Sequence, residues 1–143
     1  FIPGFAGLAS PYWKPGFDDI LINLNINEKD EIVRAGMESI GFLVNDIISR
    51  LLPIIGKKPE VLTTSGGGAR DPLLQFIADL TGIKVGHSAM KDRTAFGVFK
   101  ILSQNFDFEP CPNIDHFLTP DKNVKIEKKK MQWQKAINQA ISI

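Results

Sequence analysis

The stretch T-T-S-G-G-G-A-R-D-P-L-L-Q-F, from Thr63 to Phe76, places three consecutive glycines between a β-branched run and an apolar segment. Glycine loses more backbone entropy on folding than any other residue, so a plain connection would be more stable with ordinary turn residues. We therefore expect another group to come close to the backbone of Gly66, Gly67 and Gly68.

The residues on either side of these glycines predict a strand before them and a helix after them. Glu60–Thr64 is typical of a short strand, whereas Asp71 is a favoured N-cap, Pro72 suits the first helical position and Gly82 suits the helix exit. A strand, a glycine loop and a helix in this order leave free N–H groups and the positive end of the helix dipole at the loop. A phosphate or a flat nucleotide surface can bind there.

The spacing of the motif excludes two well-defined nucleotide loops. No Gly-Lys-Ser/Thr follows, as a P-loop requires, and Asp71 stands where the third glycine of the dinucleotide fingerprint would be. The residues alone leave two interpretations open. The loop either binds a nucleotide or is a glycine-rich turn packed tightly between strand and helix.

Strands and helices alternate along the rest of the chain, which favours an α/β architecture. The predicted elements are an ordered loop over Phe1–Asp19, a strand over Ile20–Leu24, a helix capped by Asn27 and ended by Pro53, Gly56 and Pro59, a strand over Ile83–Gly86, a helix from Asp92 through Leu102, an irregular connection over Asn105–Asp121, and a C-terminal amphipathic helix with Met131, Trp133, Ile137 and Ile141 facing inward.

The composition of the 143 residues, 43% hydrophobic and 23% charged, is that of one soluble globular domain. A formal net charge of +1 predicts no nucleic-acid or membrane partner, and the lysines from Lys122 to Lys135 are interpreted as the solvated face of a helix. Cys111 is the single cysteine, so we expect a reducing, cytoplasmic compartment. The start at Phe1 carries no signal peptide and suggests a piece of a longer protein.

No catalytic residue and no metal ligand is assigned from the sequence. Asp46, Asp79 and Asp92 lie in helical contexts that are explained by surface solvation or capping. His87 and His116 have no partner at metal-ligand spacing, so both are interpreted as ordinary structural histidines.

The order of the segments resembles the C-terminal part of the FGGY family of carbohydrate kinases, and within it the glycerol kinase branch. The resemblance covers nearly the whole chain. It rests on F-I-P-G-F-A-G-L-A-S-P-Y-W-K-P (Phe1–Pro15), R-A-G-M-E-S-I-G-F (Arg34–Phe42), S-G-G-G-A-R-D-P-L-L-Q-F-I-A-D-L-T-G (Ser65–Gly82) and R-T-A-F-G (Arg93–Gly97).

The resemblance implies a ribonuclease H-like, actin-like ATPase fold, with residues 1–143 as the C-terminal domain of a two-domain kinase. Such a kinase transfers the γ-phosphoryl group of Mg-ATP to a hydroxyl of a sugar or polyol, and it often forms a homo-oligomer. By motif, the nucleotide would contact Gly66, Gly67, Gly68, Arg70 and Asp71. The phosphate-binding turns, the catalytic aspartate and the main hold on Mg²⁺ would lie upstream, so this chain alone is predicted to be inactive.

Several positions depart from the family pattern. Asp18 and Asp19 stand where the family commonly has arginine and glycine, Asn23 and Asn27 replace glycines, and Phe96 replaces a smaller residue. These departures indicate a divergent member and leave the sugar or polyol unidentified. They also keep open an alternative, a non-catalytic regulatory or scaffold protein that binds nucleotide on the same fold.

Overall fold

The computed structural model describes residues 1–4, 7–22, 27–104, 113–123 and 125–142. The elements, in chain order, are β1 (Gly7–Leu8), β2 (Lys14–Pro15), α1 (Lys29–Ile55), β3 (Val61–Thr64), α2 (Asp71–Thr81), β4 (Lys84–His87), α3 (Arg93–Leu102), β5 (His116–Leu118) and α4 (Glu127–Ile141). The α/β class predicted from the sequence is confirmed.

A three-stranded sheet of order β3-β4-β5 forms the centre of the fold. β3 and β4 are parallel, with Thr64 opposite His87, and α2 makes the crossover between them. β5 runs antiparallel to β4, with His116 opposite His87. The β3-α2-β4 unit therefore brings the glycine loop, the first turn of α2 and the end of β4 to one edge of the sheet.

Helix α2 covers one face of this sheet with an apolar stripe. The buried cluster beneath it comprises Leu73, Leu74, Ile77, Ala78 and Val85. On the other side α2 packs against α1, where the rings of Phe42 and Phe76 meet edge to face with centroids 5.4 Å apart. Gly41 permits this approach, because a Cβ there would lie 2.6 Å from Cδ1 of Phe76.

A second buried cluster joins the N-terminal segment to α1 and α4. It comprises Ile2, Leu8, Phe17, Phe42, Leu80, Ile126, Trp133, Ile137 and Ala140. The N-terminal segment is an ordered loop with the short β1–β2 pair, as predicted, and Lys14 Nζ donates a hydrogen bond to the carbonyl of Ile141 at 2.6 Å. The first and last parts of the chain thus stabilise each other through α1.

Two predicted helix starts are each wrong by one residue. Asn27 lies in a turn and Glu28 is the N-cap of α1, while Arg70 is the N-cap of α2 and Asp71 is already its first residue. Pro53 does not end α1 but lies inside its last turn, and the helix ends at Gly56, whose N–H donates to the carbonyl of Leu52. The predicted exit of α2 at Gly82 is confirmed.

The predicted irregular connection over Asn105–Asp121 is wrong where β5 forms, because pairing with β4 gives this stretch the hydrogen bonds it could not make locally. Residues 105–112, and with them Cys111, lie outside the described residues. Ile20 pairs with Ile2 in a single bridge, while Asn23 and Leu24 of the predicted strand are also outside the described part.

The two C-terminal helices differ in how much of their apolar surface they bury. In α4, Trp133 and Ile137 face inward as predicted, but Met131 is 67% exposed, which contradicts its predicted inward position. α3 buries none of its side chains against the described residues, and Leu102 is 78% exposed. Within the described ranges, no helix has the length and apolar character needed to span a membrane.

Candidate functional site

The glycine loop lies at the carboxyl ends of the parallel strands β3 and β4 and leads directly into α2. In open α/β sheets, ligands bind in the crevice outside the carboxyl ends of the strands. The loop is a tight turn in which Ala69 N donates to Gly66 O at 3.1 Å and Arg70 N donates to Gly68 O at 2.9 Å. The residues with the strongest sequence motif thus occupy the edge where such folds bind ligands.

Among the described residues, the backbone explains the glycine at Gly66 but not those at Gly67 and Gly68. Gly66 has a φ of +97°, a conformation that side-chain-bearing residues rarely adopt. A Cβ at Gly67 or Gly68 would meet no described atom within 4 Å, and both residues are exposed. Tight packing between strand and helix therefore accounts for neither Gly67 nor Gly68 within the described part of the chain.

Arg70 and Asp71 begin α2 next to this open backbone. Arg70 is exposed, and its carbonyl accepts the N–H of Leu74 at 3.0 Å. The carboxylate of Asp71 is engaged with β5, since its Oδ1 lies 3.0 Å from Nε2 of His116 in a hydrogen bond. All five predicted nucleotide residues are therefore contiguous at the loop, while Asp71 also belongs to a second group of side chains.

That second group unites Asp71 with both histidines. His87 and His116 are cross-strand partners, their ring centroids are 5.0 Å apart, and one ligand atom from each of the three residues lies within 4.8 Å of the others. Nδ1 of His87 is 3.6 Å from Oδ1 of Asp71, is buried, and has no hydrogen-bond partner among the described residues. The interpretation that the histidines lack partners was wrong.

Sequence spacing could not reveal this group. Asp71 begins a helix, His87 ends a parallel strand and His116 begins β5, which was predicted to be irregular. The only usable indication was that residues at the carboxyl end of β4 meet the N-terminus of α2 in any β3-α2-β4 unit.

Polar side chains also lie between the end of β4 and the start of α3. Ser88 is 3% exposed, and its Oγ accepts a hydrogen bond from Nη2 of Arg93 at 3.3 Å. Nε of Arg93 is buried and has no partner within the described ranges. The adjoining cavity of about 310 Å³ is lined by Ser88, Ala89, Met90, Arg93, Phe96, Lys100, Asn113 and Asp115.

Asp46 is not the solvated carboxylate that the sequence predicted. It is 5% exposed and accepts hydrogen bonds from the Tyr12 hydroxyl, Trp133 Nε1 and Gln134 Nε2, each at 2.7 Å. Burial, and then the hydrogen bond to Asp46, raise the pKa of Tyr12. The helical period of α1 could not show that the N-terminal loop and α4 both cover this position.

The other two carboxylates differ from each other. Asp79 is half-buried and accepts hydrogen bonds from Gln75 Nε2 and the N–H of Asp121, so it fastens the segment before α4 to α2. Asp92 is the N-cap of α3, as predicted, although its side chain makes no capping hydrogen bond. Neither residue lies with the Asp71 group.

Comparison of the sequence with known proteins gives one consistent family. A model of the C-terminal domain of the FGGY family of carbohydrate kinases matches residues 1–102. The chain is 30% identical to a glycerol kinase of Shewanella woodyi over 151 aligned residues, which cover 99% of this chain and 30% of that protein. It is 36% identical to glycerol kinase 1 of Thermotoga maritima over 99 residues, covering 68% of this chain and 20% of that protein.

Solved structures show the same fold at lower identity. A xyloylose kinase from Brucella ovis superimposes with a TM-score of 0.74 at 20% identity, over 99% of this chain and 32% of that one. A xylulose kinase from Lactobacillus acidophilus gives a TM-score of 0.65 at 21% identity, over 99% and 29%. The α/β arrangement agrees with the predicted ribonuclease H-like fold.

The matched part is a fraction of each relative. The chain spans about 30% of the length of the glycerol kinase of Shewanella woodyi. The family model covers residues 1–102 and so includes the N-terminal loop, α1, the glycine loop and α3. The chain belongs to the FGGY family of carbohydrate kinases.

Proposed function

We propose that this chain is the C-terminal, nucleotide-binding part of an ATP-dependent carbohydrate or polyol kinase similar to the glycerol kinases. The open backbone of the glycine loop at the carboxyl end of β3 carries the proposal. Membership of the FGGY family supports it. The proposed reaction joins a substrate hydroxyl oxygen to the γ-phosphorus of ATP and breaks the bond between that phosphorus and ADP, while the hydroxyl proton passes to a base.

The role proposed for this chain is binding and orientation of the nucleotide. With no side chain at Gly66, Gly67 or Gly68, a purine or ribose can lie against the backbone at van der Waals distance. The positive end of the α2 dipole favours an electron-rich or anionic partner at this loop. Arg70 is exposed beside it, where its planar guanidinium can stack on a base or donate hydrogen bonds.

The described residues do not suit Mg²⁺. Magnesium requires oxygen ligands in near-octahedral geometry. Within the described part of the chain, the group of three side chains able to share a metal contains two imidazoles and one carboxylate. No step of phosphoryl transfer is therefore assigned to a metal held here. Asp46 is not assigned as a catalytic base, because it is buried and already accepts three hydrogen bonds.

Turnover by the full-length gene product tests the proposal. ADP release from Mg-ATP would be measured with glycerol, other polyols, pentoses and hexoses, and we expect one compound to stimulate it strongly. As an ATP-consuming enzyme of small metabolites, the protein is proposed to act in the cytoplasm. Unstimulated release across the whole panel, with ADP still binding, would instead favour the non-catalytic nucleotide-binding protein.

A matched pair of arginine variants locates the nucleotide contact. Arg70→Ala should raise the KM for ATP at least about tenfold and leave the KM for the polyol unchanged, because a charged hydrogen bond or stack contributes about 1.4 kcal/mol or more. Arg34→Ala is the control, since the Arg34 side chain is 74% exposed and its ion pair among the described residues is with Glu38 on the same helix, at 3.0 Å. Equal effects of the two substitutions would contradict the assignment of Arg70.

A further inference from the structure

We propose that Asp71, His87 and His116 form a binding site for a divalent transition-metal ion, with Zn²⁺ as the best fit. The site lies beside the glycine loop and shares Asp71 with the residues predicted to contact the nucleotide, but it does not depend on the proposed kinase activity. Its three ligand atoms are Oδ1 of Asp71, Nδ1 of His87 and Nε2 of His116.

The distances are close to those of a metal site. Zn²⁺ binds imidazole nitrogen and carboxylate oxygen at roughly 2.0–2.2 Å, so ligand atoms in a tetrahedral site are about 3.3 Å apart. The carboxylate oxygen of Asp71 lies 3.0 Å from His116 Nε2 and 3.6 Å from His87 Nδ1. One ligand atom from each of the three residues lies within 4.8 Å of the others, so we expect adjustments of the side chains alone to close the site around an ion.

A purely structural role leaves one of these atoms unexplained. The hydrogen bond between His116 and Asp71 accounts for the 3.0 Å distance between His116 Nε2 and Asp71 Oδ1. It leaves Nδ1 of His87 buried and without a partner among the described residues. A buried polar atom without a hydrogen-bond partner is destabilising, and a metal ion bound to this nitrogen would remove that penalty.

The framework holds the three side chains in fixed positions. His87 and His116 are paired across β4 and β5, which places both on the same face of the sheet. Asp71 is the first residue of α2, whose apolar stripe packs on that face beside Val85. Sites on strands and helices are held more precisely than sites on loops.

The chemistry of the donors limits the choice of ion. Two imidazoles and one carboxylate suit first-row transition metals such as zinc, iron(II), cobalt, nickel or copper and do not suit magnesium or calcium. Three protein ligands leave a fourth position for water or another group, as in open zinc sites. The side chains of Asp71 and His116 are 59% and 44% exposed, so an ion can enter from solvent.

Metal titration of the full-length protein tests this site. Chelator-treated protein would be titrated with Zn²⁺ against a chromophoric competitor, and Co²⁺ would be used in parallel for its visible absorption. We expect wild-type protein to bind Zn²⁺ with micromolar or tighter affinity. His87→Ala, His116→Ala and Asp71→Asn should each weaken that binding at least about tenfold and abolish the low-coordinate Co²⁺ spectrum.

The control is Asp115→Asn, which changes the exposed carboxylate immediately before His116 and should leave the affinity unaltered. Circular dichroism and the unfolding midpoint of the metal-free protein show whether each variant is folded. If His87→Ala unfolds, His116→Ala and Asp71→Asn still test the site, because His116 is exposed and the Asp71→Asn change is isosteric. Unchanged binding in any of the three triad variants, or no binding by wild-type protein, would overturn the three-ligand site.

Discussion

Two aspartates, Asp46 and Asp71, show how differently this fold uses a carboxylate. Asp46 is 5% exposed and accepts hydrogen bonds from three donors on two other segments of the chain. The Asp71 side chain is 59% exposed and faces two imidazoles, one of which has a buried nitrogen without a partner in the described residues.

The difference separates a structural polar network from a candidate ligand site. Around Asp46 the donors come from the N-terminal loop and α4, and the network fastens both to α1. Around Asp71 the polar atoms converge beside an open glycine backbone and leave hydrogen-bonding capacity unused. Buried polar groups in native proteins are almost always satisfied, so an exception next to an open loop indicates a ligand.

The largest expected effect is the loss of the Asp46 carboxylate. Asp46→Ala leaves three donors without their acceptor, one of them the buried Trp133 Nε1, and should lower the free energy of unfolding by about 3 kcal/mol. Asp71→Ala should change it by less than about 1 kcal/mol, because the carboxylate is largely solvated. Urea denaturation of both variants measures the difference, and the reverse ranking would contradict the comparison.

Trp133→Phe removes one donor to Asp46 and keeps an aromatic ring. The Trp133 ring stacks on Phe42 with centroids 5.0 Å apart and planes at 9°, so a phenyl ring can retain most of that contact. The expected loss of stability is about 2 kcal/mol, the range for a hydrogen bond to a charged group. Trp13→Phe is the control, since Trp13 is 74% exposed; a comparable loss there would show that the indole N–H is not the cause.

Tyr12→Phe should lower the free energy of unfolding by about 1.5 kcal/mol at neutral pH, because it removes the hydroxyl donor to Asp46. The raised pKa of Tyr12, caused first by burial and then by Asp46, adds a pH dependence. Its stabilising contribution is complete below the unfolded-state pKa of about 10 and is lost as pH rises through the higher folded-state pKa.

The difference in the free energy of unfolding between wild-type and Tyr12→Phe protein should therefore become smaller in denaturation curves taken above about pH 10. An increase of that difference with pH would mean that the phenol ionises more easily in the folded protein than in the unfolded one.

The smallest effect distinguishes the glycines of the loop. Gly66→Ala should destabilise the protein by about 1 kcal/mol, because its φ of +97° is strained for alanine. Gly68→Ala should leave stability within about 0.5 kcal/mol, since its Cβ would meet no described atom within 4 Å. Equal losses at the two positions, measured by urea denaturation, would show that the loop is packed and not open.

Much of the fold follows from local sequence patterns. The glycine loop, Pro72 and Gly82 located α2 to within one residue at each end, and the apolar period located α1. Pro53 could not be placed from sequence, because a proline in the last turn is tolerated when the helix is held by long-range packing. β5 was missed because its three residues depend on pairing with β4.

The sequence could propose a candidate site only where its residues are contiguous. The five residues predicted to contact the nucleotide lie within six positions, so a single motif proposed them together. Asp71, His87 and His116 come from three separate elements, and Asp46 meets its partners through contacts 34 to 88 residues away in sequence. Contacts of this kind are set by tertiary packing and leave no local pattern.

The binding of ADP to the full-length protein, measured by calorimetry, tests the central claim most directly when Gly67→Val is compared with Gly36→Val. Both glycines have open space at Cβ, one in the loop and one on α1, so both variants should fold. We expect Gly67→Val to weaken ADP binding at least about tenfold and Gly36→Val to leave it unchanged. Equal ADP affinity in the two variants would contradict a nucleotide site at the glycine loop.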